Sequence, residues 1–373
     1  MFAVNDRIYC TPPSILIMID PTLEYVMEAE HIFKTMRKSE NGVRWKASVQ
    51  RFEIDTLRWA ATLNSEVRSG KYKSRGFRKF DIMERGKLRH IQSVHISERT
   101  VQKLLCNYAL KPTIYPTLIY DNSASQEGKG TEFALKRLKE HLRWHLARYG
   151  KKGVIVVMDY HDFFASIPHE GAIKAMSNKL SDDRLTHYVA DFVNAFDGDF
   201  GLGLGSETSQ IGAICYPSDI DRFIKEVLQV HCYARYMDDS YMILPSREYA
   251  EYCLKRIKEM VQSKGMEIND KKTVIHNLAT DDFVFLKKRI HITDTGEIVM
   301  RLTRKNFKEE KLRICYQRVE YDAGRLPLYS IIQSYSSWRG YAKKYNSYHT
   351  VGKMDDFFES VMGDILQEGG LTA

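Results

Sequence analysis

Two adjacent aspartates, Asp238 and Asp239, sit inside the stretch Tyr233–Leu244, YARYMDDSYMIL. Neighbouring carboxylates repel each other unless a cation lies between them, and hard Mg²⁺ prefers carboxylate oxygen. A solvated Asp-Asp turn is the bland alternative and accounts for most such pairs. It explains these flanks poorly, because a surface turn does not need Tyr-Met before it and Tyr-Met-Ile-Leu after it. Two-metal phosphoryl transfer holds its ions about 3.5–4 Å apart and needs more ligands than two side chains supply. A third carboxylate is therefore expected elsewhere. Asp159 is the candidate: it ends the β-branched run Gly153–Met158 and precedes Phe163-Phe164.

The elements that must position these acids are legible around them. Gly153–Met158 reads as a short buried strand. Tyr233, Arg235 and Ser240–Leu244 suit extended backbone, and Met237-Asp238-Asp239 falls where a hairpin turns. A helix is predicted over Glu132–Tyr149, with Leu135, Leu138, Leu142 and Leu146 on one stripe and Gly150 as terminator. Ser246 can cap a second helix, Arg247–Ser263, with Ala250, Leu254, Ile257 and Val261 inward. A third is expected over Thr56–Val67, with Leu57, Ala60, Ala61 and Leu63 as its apolar set. Pro217–Glu226 reads as another helix start, and Thr293–Gly296 as a hairpin turn. In the polar loop Ser123–Gly130, Lys129 is either a phosphate contact or a plain loop residue.

A basic window precedes the first acid. Arg68, Lys71, Lys73, Arg75, Arg78, Lys79, Arg85, Lys87 and Arg89 are opposed there only by Asp81 and Glu84. A solvated face would also look like this. The interleaved Tyr72, Phe77 and Phe80 favour nucleic acid, which needs charge for phosphate and flat surfaces for bases. Lys87 and Arg89 alternate, so on a strand both point to one face and can hold a triphosphate.

Asp159 with Phe163-Phe164, followed in order by Tyr236-Met237-Asp238-Asp239, resembles the palm of a reverse transcriptase, over about residues 80–286. The resemblance implies an α+β right-hand polymerase, its palm an antiparallel sheet backed by helices. It divides the chain into an N-terminal helical extension (1–66), fingers (67–152), palm (153–303, with a fingers-associated helical insertion around 168–200) and thumb (304–373). It implies two Mg²⁺ on Asp159, Asp238 and Asp239. It implies nucleotide contacts from Lys87, Arg89, Tyr236 and Met237, a steric gate at Phe164 that selects dNTPs, and Lys272 as a proton donor to pyrophosphate. An ordinary surface lysine is the alternative at that last position.

Within the superfamily, Leu204-Gly205-Ser206-Glu207-Thr208-Ser209-Gln210 departs from the usual pattern. Most reverse transcriptases place a glutamine before this glycine and a Ser-Pro at the end. An aliphatic residue followed by GxxxSQ is similar to enzymes of diversity-generating retroelements. Leu204, Gly205 and Gln210 would then shape the base-pair pocket, and copying would be error-prone, chiefly opposite adenine. The implied partners are template RNA, primer or cDNA, dNTPs and a small basic helical accessory protein. An antiphage-defence reverse transcriptase would share every catalytic residue. A non-catalytic or maturase-like RNA-binding protein is the rival from another class.

Composition agrees with a folded chain that meets a polyanion. The 373 residues carry a net charge of +8, with 43% hydrophobic and 28% charged residues. No apolar run approaches the ~20 residues that span a bilayer, and no secretory signal is apparent. Six cysteines without C-x-x-C spacing argue against a zinc site or disulfide framework. They suit a reducing cytoplasm, and the resemblance implies a bacterial or phage-encoded protein.

Overall fold

The computed structural model describes residues 20–84 and 87–368. Strands form where β-branched and aromatic residues cluster. They are β1 (Phe77–Glu84), β2 (Lys87–Val94), β3 (Val154–Met158), β4 (Tyr233–Tyr236), β5 (Asp239–Leu244), β6 (Val274–Asn277), β7 (Phe283–Phe285), β8 (Lys288–Ile292) and β9 (Ile298–Leu302). They make three sheets: β1-β2, β4-β5-β3-β6 and β7-β8-β9. The four-stranded sheet is antiparallel throughout, with β3 central and paired to both β5 and β6.

The chain forms two compact units. One takes in residues up to Ile82, Arg89–Ile119 and Phe164–Ser218; the other takes in Met83–Leu88, Tyr120–Phe163 and the chain from Asp219 on. The first is built largely of helices, among them Ala29–Glu40, Thr56–Arg68, Ile96–Leu105, Asp183–Asn194 and Glu207–Cys215. The second holds the four-stranded sheet. Helix Thr131–Tyr149 packs Leu135, Leu138 and Leu142 into one core with Ile155, Tyr241 and Ile243 of that sheet. The same unit ends in three helices, Arg304–Asp322, Leu328–Lys343 and Tyr348–Glu368, around Ile331, Tyr335, Trp338 and Met362. Trp338 therefore serves as a core residue. Among the described residues no helix is long and apolar enough to cross a membrane.

Several helix faces differ from expectation. Ser246 does cap Arg247–Ser263, its hydroxyl accepting from the Tyr249 N–H, but Cys253 is buried where Leu254 was expected and Leu254 is half-buried. The stripe runs through Ala250, Cys253, Ile257 and Val261 at spacings of three and four residues, one face of the helix. Leu57, in the first turn of its helix, is 76% exposed; the inward residues are Ala60, Leu63 and Val67. Leu146 is only half-buried, and His141 and His145 complete the inner face of Thr131–Tyr149 instead. Helix Glu207–Cys215 was not anticipated. Its N-cap is Ser206, whose Oγ accepts from the Ser209 N–H.

Candidate active site

The hairpin between β4 and β5 carries the aspartate pair. Tyr236 is the register partner of Asp239, so only Met237 and Asp238 form the turn. Met237 takes a left-handed conformation, φ 54°, which is uncommon for a residue with a Cβ. On the neighbouring strand Met158 lies opposite Ser240. Carried one residue further, that register brings Asp159 level with Asp239.

Asp159 is buried at 8% exposure. Its backbone is fixed on both sides: its N–H donates to Thr273 Oγ1 (3.4 Å), and its carbonyl accepts from the Asn269 N–H (2.8 Å). The same loop delivers Lys272, whose Nζ lies 3.0 and 3.1 Å from the two Asp159 carboxylate oxygens. That contact raises the Lys272 ammonium above its ordinary range.

Asp239 shows what this gathering of charge does. Its carboxyl is pushed up to about 7, first by burial and then by the charges of Asp238 and Asp159, with Lys272 pulling the other way. Both other predicted acids thus act on Asp239, and Lys272 acts on it in the opposite sense. Among the described residues no three His, Cys, Asp or Glu side chains stand in a ready-made chelating cluster. The donor set nevertheless fits Mg²⁺. It is all carboxylate oxygen, its negative charge is only partly offset by one lysine, and Mg²⁺ normally takes one or two carboxylates plus substrate phosphates.

The shifted Asp239 carboxyl makes metal-free stability pH-dependent. The folded chain keeps this proton up to about pH 7, whereas an unfolded aspartate releases it near ~4. Between those values the folded state binds more protons, so stability is full at the acid end and falls as pH rises towards 7. A divalent cation offsets the repulsion above that range. We expect Mg²⁺ to raise Tm more at pH 8 than at pH 5, and Asp239→Asn to remove most of the difference. Thermal melts in EDTA and in Mg²⁺ check this.

The remaining predicted residues fall as follows. Tyr236 is half-buried beside Asp239, and burial together with that carboxylate raises its phenol. Phe163 is buried at 4%, whereas Phe164 is half-buried. The Leu202 N–H donates to the Phe164 carbonyl (2.8 Å), and the Gln92 N–H donates to the Leu204 carbonyl (3.2 Å). The structure therefore brings Phe164, the Leu202–Gly205 segment and Gln92 of β2 together within the first unit. Gly205 has φ 115°, and a Cβ there would come 3.1 Å from the Gln92 carbonyl oxygen. Gln210 is exposed in the first turn of the Glu207–Cys215 helix. Lys87 and Arg89 lie on β2; their side chains are outside the described residues. Lys129 Nζ donates to the Tyr120 (2.8 Å) and Asn122 (3.0 Å) carbonyls.

Sequence reasoning missed the buried polar groups behind both clusters. In the first unit, Ser206 Oγ donates to Gln102 Oε1 (3.0 Å), and Gln102 Nε2 donates to Glu98 (3.3 Å). Glu98 is fully buried and also accepts from Ser74 Oγ and the Arg75 N–H. In the second unit, Arg235 and Asp221 form an ion pair that is 0% exposed on both sides. Only the alternation of β4, which turns Tyr233 and Arg235 to one face, hinted that Arg235 points inward.

The antiparallel sheet, with helices packed on it and the acids at the end of β3 and in the β4–β5 hairpin, has the α+β fold of a right-hand polymerase. Residues 77–313 match the family described as reverse transcriptase (RNA-dependent DNA polymerase). That span is well over half of the chain, and the chain belongs to the reverse transcriptase family. Among solved structures it is similar to the telomerase of Candida albicans, in complex with a TWJ fragment of telomeric RNA. That similarity has a TM-score of 0.47 at 12% identity, and covers 82% of this chain and 58% of the telomerase chain. No curated protein sequence matches.

Proposed function

We propose that the chain is an RNA-directed DNA polymerase that copies a retroelement template RNA into error-prone cDNA for targeted gene diversification. The observation that carries the polymerase reading is the antiparallel register of β3 and β5, Met158 opposite Ser240, which sets Asp159 level with Asp239 beside the Met237-Asp238 turn. The reaction joins a primer 3′-hydroxyl to the α-phosphate of a dNTP and releases pyrophosphate. Asp159, Asp238 and Asp239 would hold two Mg²⁺. When bound, these ions supply an activated hydroxyl and neutralise charge on the leaving group. By the family resemblance, Lys87 and Arg89 would contact the triphosphate, and Tyr236, Met237 and Gly205 the nucleotide. Phe164 excludes a 2′-hydroxyl by bulk. Lys272 protonates the pyrophosphate after leaving Asp159. A small basic helical protein is the expected accessory partner.

The diversification reading rests on Leu204 and Gln210, which flank the capped start of the Glu207–Cys215 helix. A glutamine at 204 could hydrogen-bond near the nascent pair and reward correct geometry; leucine cannot. One such bond is worth on the order of 1 kcal/mol, which corresponds to about fivefold in discrimination. We therefore expect Leu204→Gln to lower misincorporation opposite template adenine about fivefold, with errors opposite the other bases changing less. Sequencing cDNA made from a defined RNA template measures this. An unchanged adenine error rate removes the basis for diversification and leaves a reverse transcriptase of another role, such as phage defence.

A further inference from the structure

Arg235 heads the fully buried side chains by volume. Its Nε lies 2.8 and 3.0 Å from the two Asp221 oxygens, and its Nη2 lies 2.8 Å from Asp221 Oδ2. Its Nη1 donates to the carbonyl oxygen of Met237 at 3.1 Å. Asp221 also accepts from Tyr233 Oη (2.6 Å) and from Asn122 Nδ2 (3.4 Å). The backbone of Arg235 is tied on its other edge. Its N–H donates to the Asp121 carbonyl (3.2 Å), and its carbonyl accepts from the Ser123 N–H (3.0 Å).

We propose that Asp221 and Arg235 form a latch that fixes the Met237-Asp238-Asp239 turn, and that both are positioning residues for the acid cluster. For packing alone, an apolar pair of the same volume would serve as well, because two charges lose their hydration on burial. What an apolar pair cannot do is donate to the Met237 carbonyl. The planar guanidinium can, with one edge on Asp221 and the remaining Nη1 on the turn. Met237 needs such a hold, because its left-handed backbone is unfavourable for a residue with a side chain. The carbonyl so gripped belongs to the peptide that leads directly into Asp238.

The same pair bears on the other half of the cluster. Tyr160, the residue after Asp159, is 4% exposed, and its hydroxyl lies within electrostatic reach of both Arg235 and Asp221. One buried pair thus grips the chain next to the second acid and lies within electrostatic reach of the tyrosine next to the first. The geometric part of this inference stands on the contacts alone. Its consequence for catalysis rests on the polymerase reading above.

The test uses the full chain and two variants. Asp221→Asn/Arg235→Met removes both charges, keeps an acceptor for Tyr233 and fills the arginine stem. Arg235→Lys keeps a cation beside Asp221 but lacks the fork that also reaches Met237. Hydrogen–deuterium exchange is read first, without metal. In both folded variants, exchange across residues 236–240 is expected to rise at least tenfold, while residues 154–158 stay as in the unchanged chain. Single-turnover primer extension on RNA follows. The maximal rate in Mg²⁺ should fall at least thirtyfold, with dNTP affinity within threefold. Mn²⁺ should restore more of the rate than it does in the unchanged chain, since Mg²⁺ demands near-ideal octahedral ligands. A general loss of stability would not produce that metal preference. Unchanged exchange at the turn, or an unchanged rate in the folded variants, overturns the latch. If the unchanged chain extends no primer, the polymerase reading fails, and the exchange result still decides the latch.

Discussion

Asp239→Asn is expected to lower primer extension on an RNA template by on the order of 10³-fold or more, with template–primer affinity unchanged. The substitution keeps the shape of the side chain and removes its charge. That charge is held at a cost. Burial and the neighbouring Asp238 and Asp159 push the carboxyl up to about 7, so the metal-free chain would be more comfortable with a neutral group there. Asparagine supplies one. The variant should therefore melt at a higher temperature than the unchanged chain in EDTA at pH 8, while its extension rate collapses. Most inactivating substitutions in a core destabilise, so opposite movement of stability and activity is specific to an acid retained for binding a cation. Extension assays and melts on one preparation measure both. Retained extension would remove Asp239 from the proposed chemistry. A lower melting temperature would show that the carboxylate helps to hold the hairpin together.

The residues legible in the sequence are those whose roles follow from local pattern. Asp159 could be placed because a β-branched run ends on it. Asp238 and Asp239 could be placed because extended segments flank them, and β3, β4 and β5 follow with few changes of boundary. Ser246 announced its helix because an N-cap acts over three residues. What stayed hidden depends on partners far along the chain. Arg235 alternates correctly for a strand, but nothing near it names Asp221, which lies 14 residues earlier on the helical segment Ser218–Arg222. Ser206 was read for its place in a base-pair motif. Its second bond, to Gln102 across 104 residues, could not be read at all. The face of Arg247–Ser263 was misjudged by one position because Cys253 and Leu254 flank the same stripe. Either fits the three- and four-residue spacing; Cys253 goes inward and Leu254 stands half-out. Composition and periodicity find strands and their acids; they do not find the buried ions that set how those acids are held.

Those buried ions carry the second large expectation. Asp221→Asn alone should destabilise the chain by about 3–5 kcal/mol, because it leaves the Arg235 guanidinium charged and enclosed without its counter-ion. Both partners are 0% exposed, so water cannot take the carboxylate's place without opening the core. Against a typical folding free energy of about 5–15 kcal/mol, this is a large fraction, and the urea midpoint should fall accordingly. Adding Arg235→Met to the same chain should return at least half of the loss. The second substitution removes the stranded charge, and methionine occupies the arginine stem. A double variant more stable than one of its parents is the sign of coupling expected for a buried pair, and separate contributions to packing would give simple addition instead. Additive losses would mean that Arg235 finds other compensation, and that Asp221 matters mainly as an acceptor for Tyr233. If stability recovers while extension does not, the pair is kept for where it holds the Met237 carbonyl and not for what it adds to the stability of the fold.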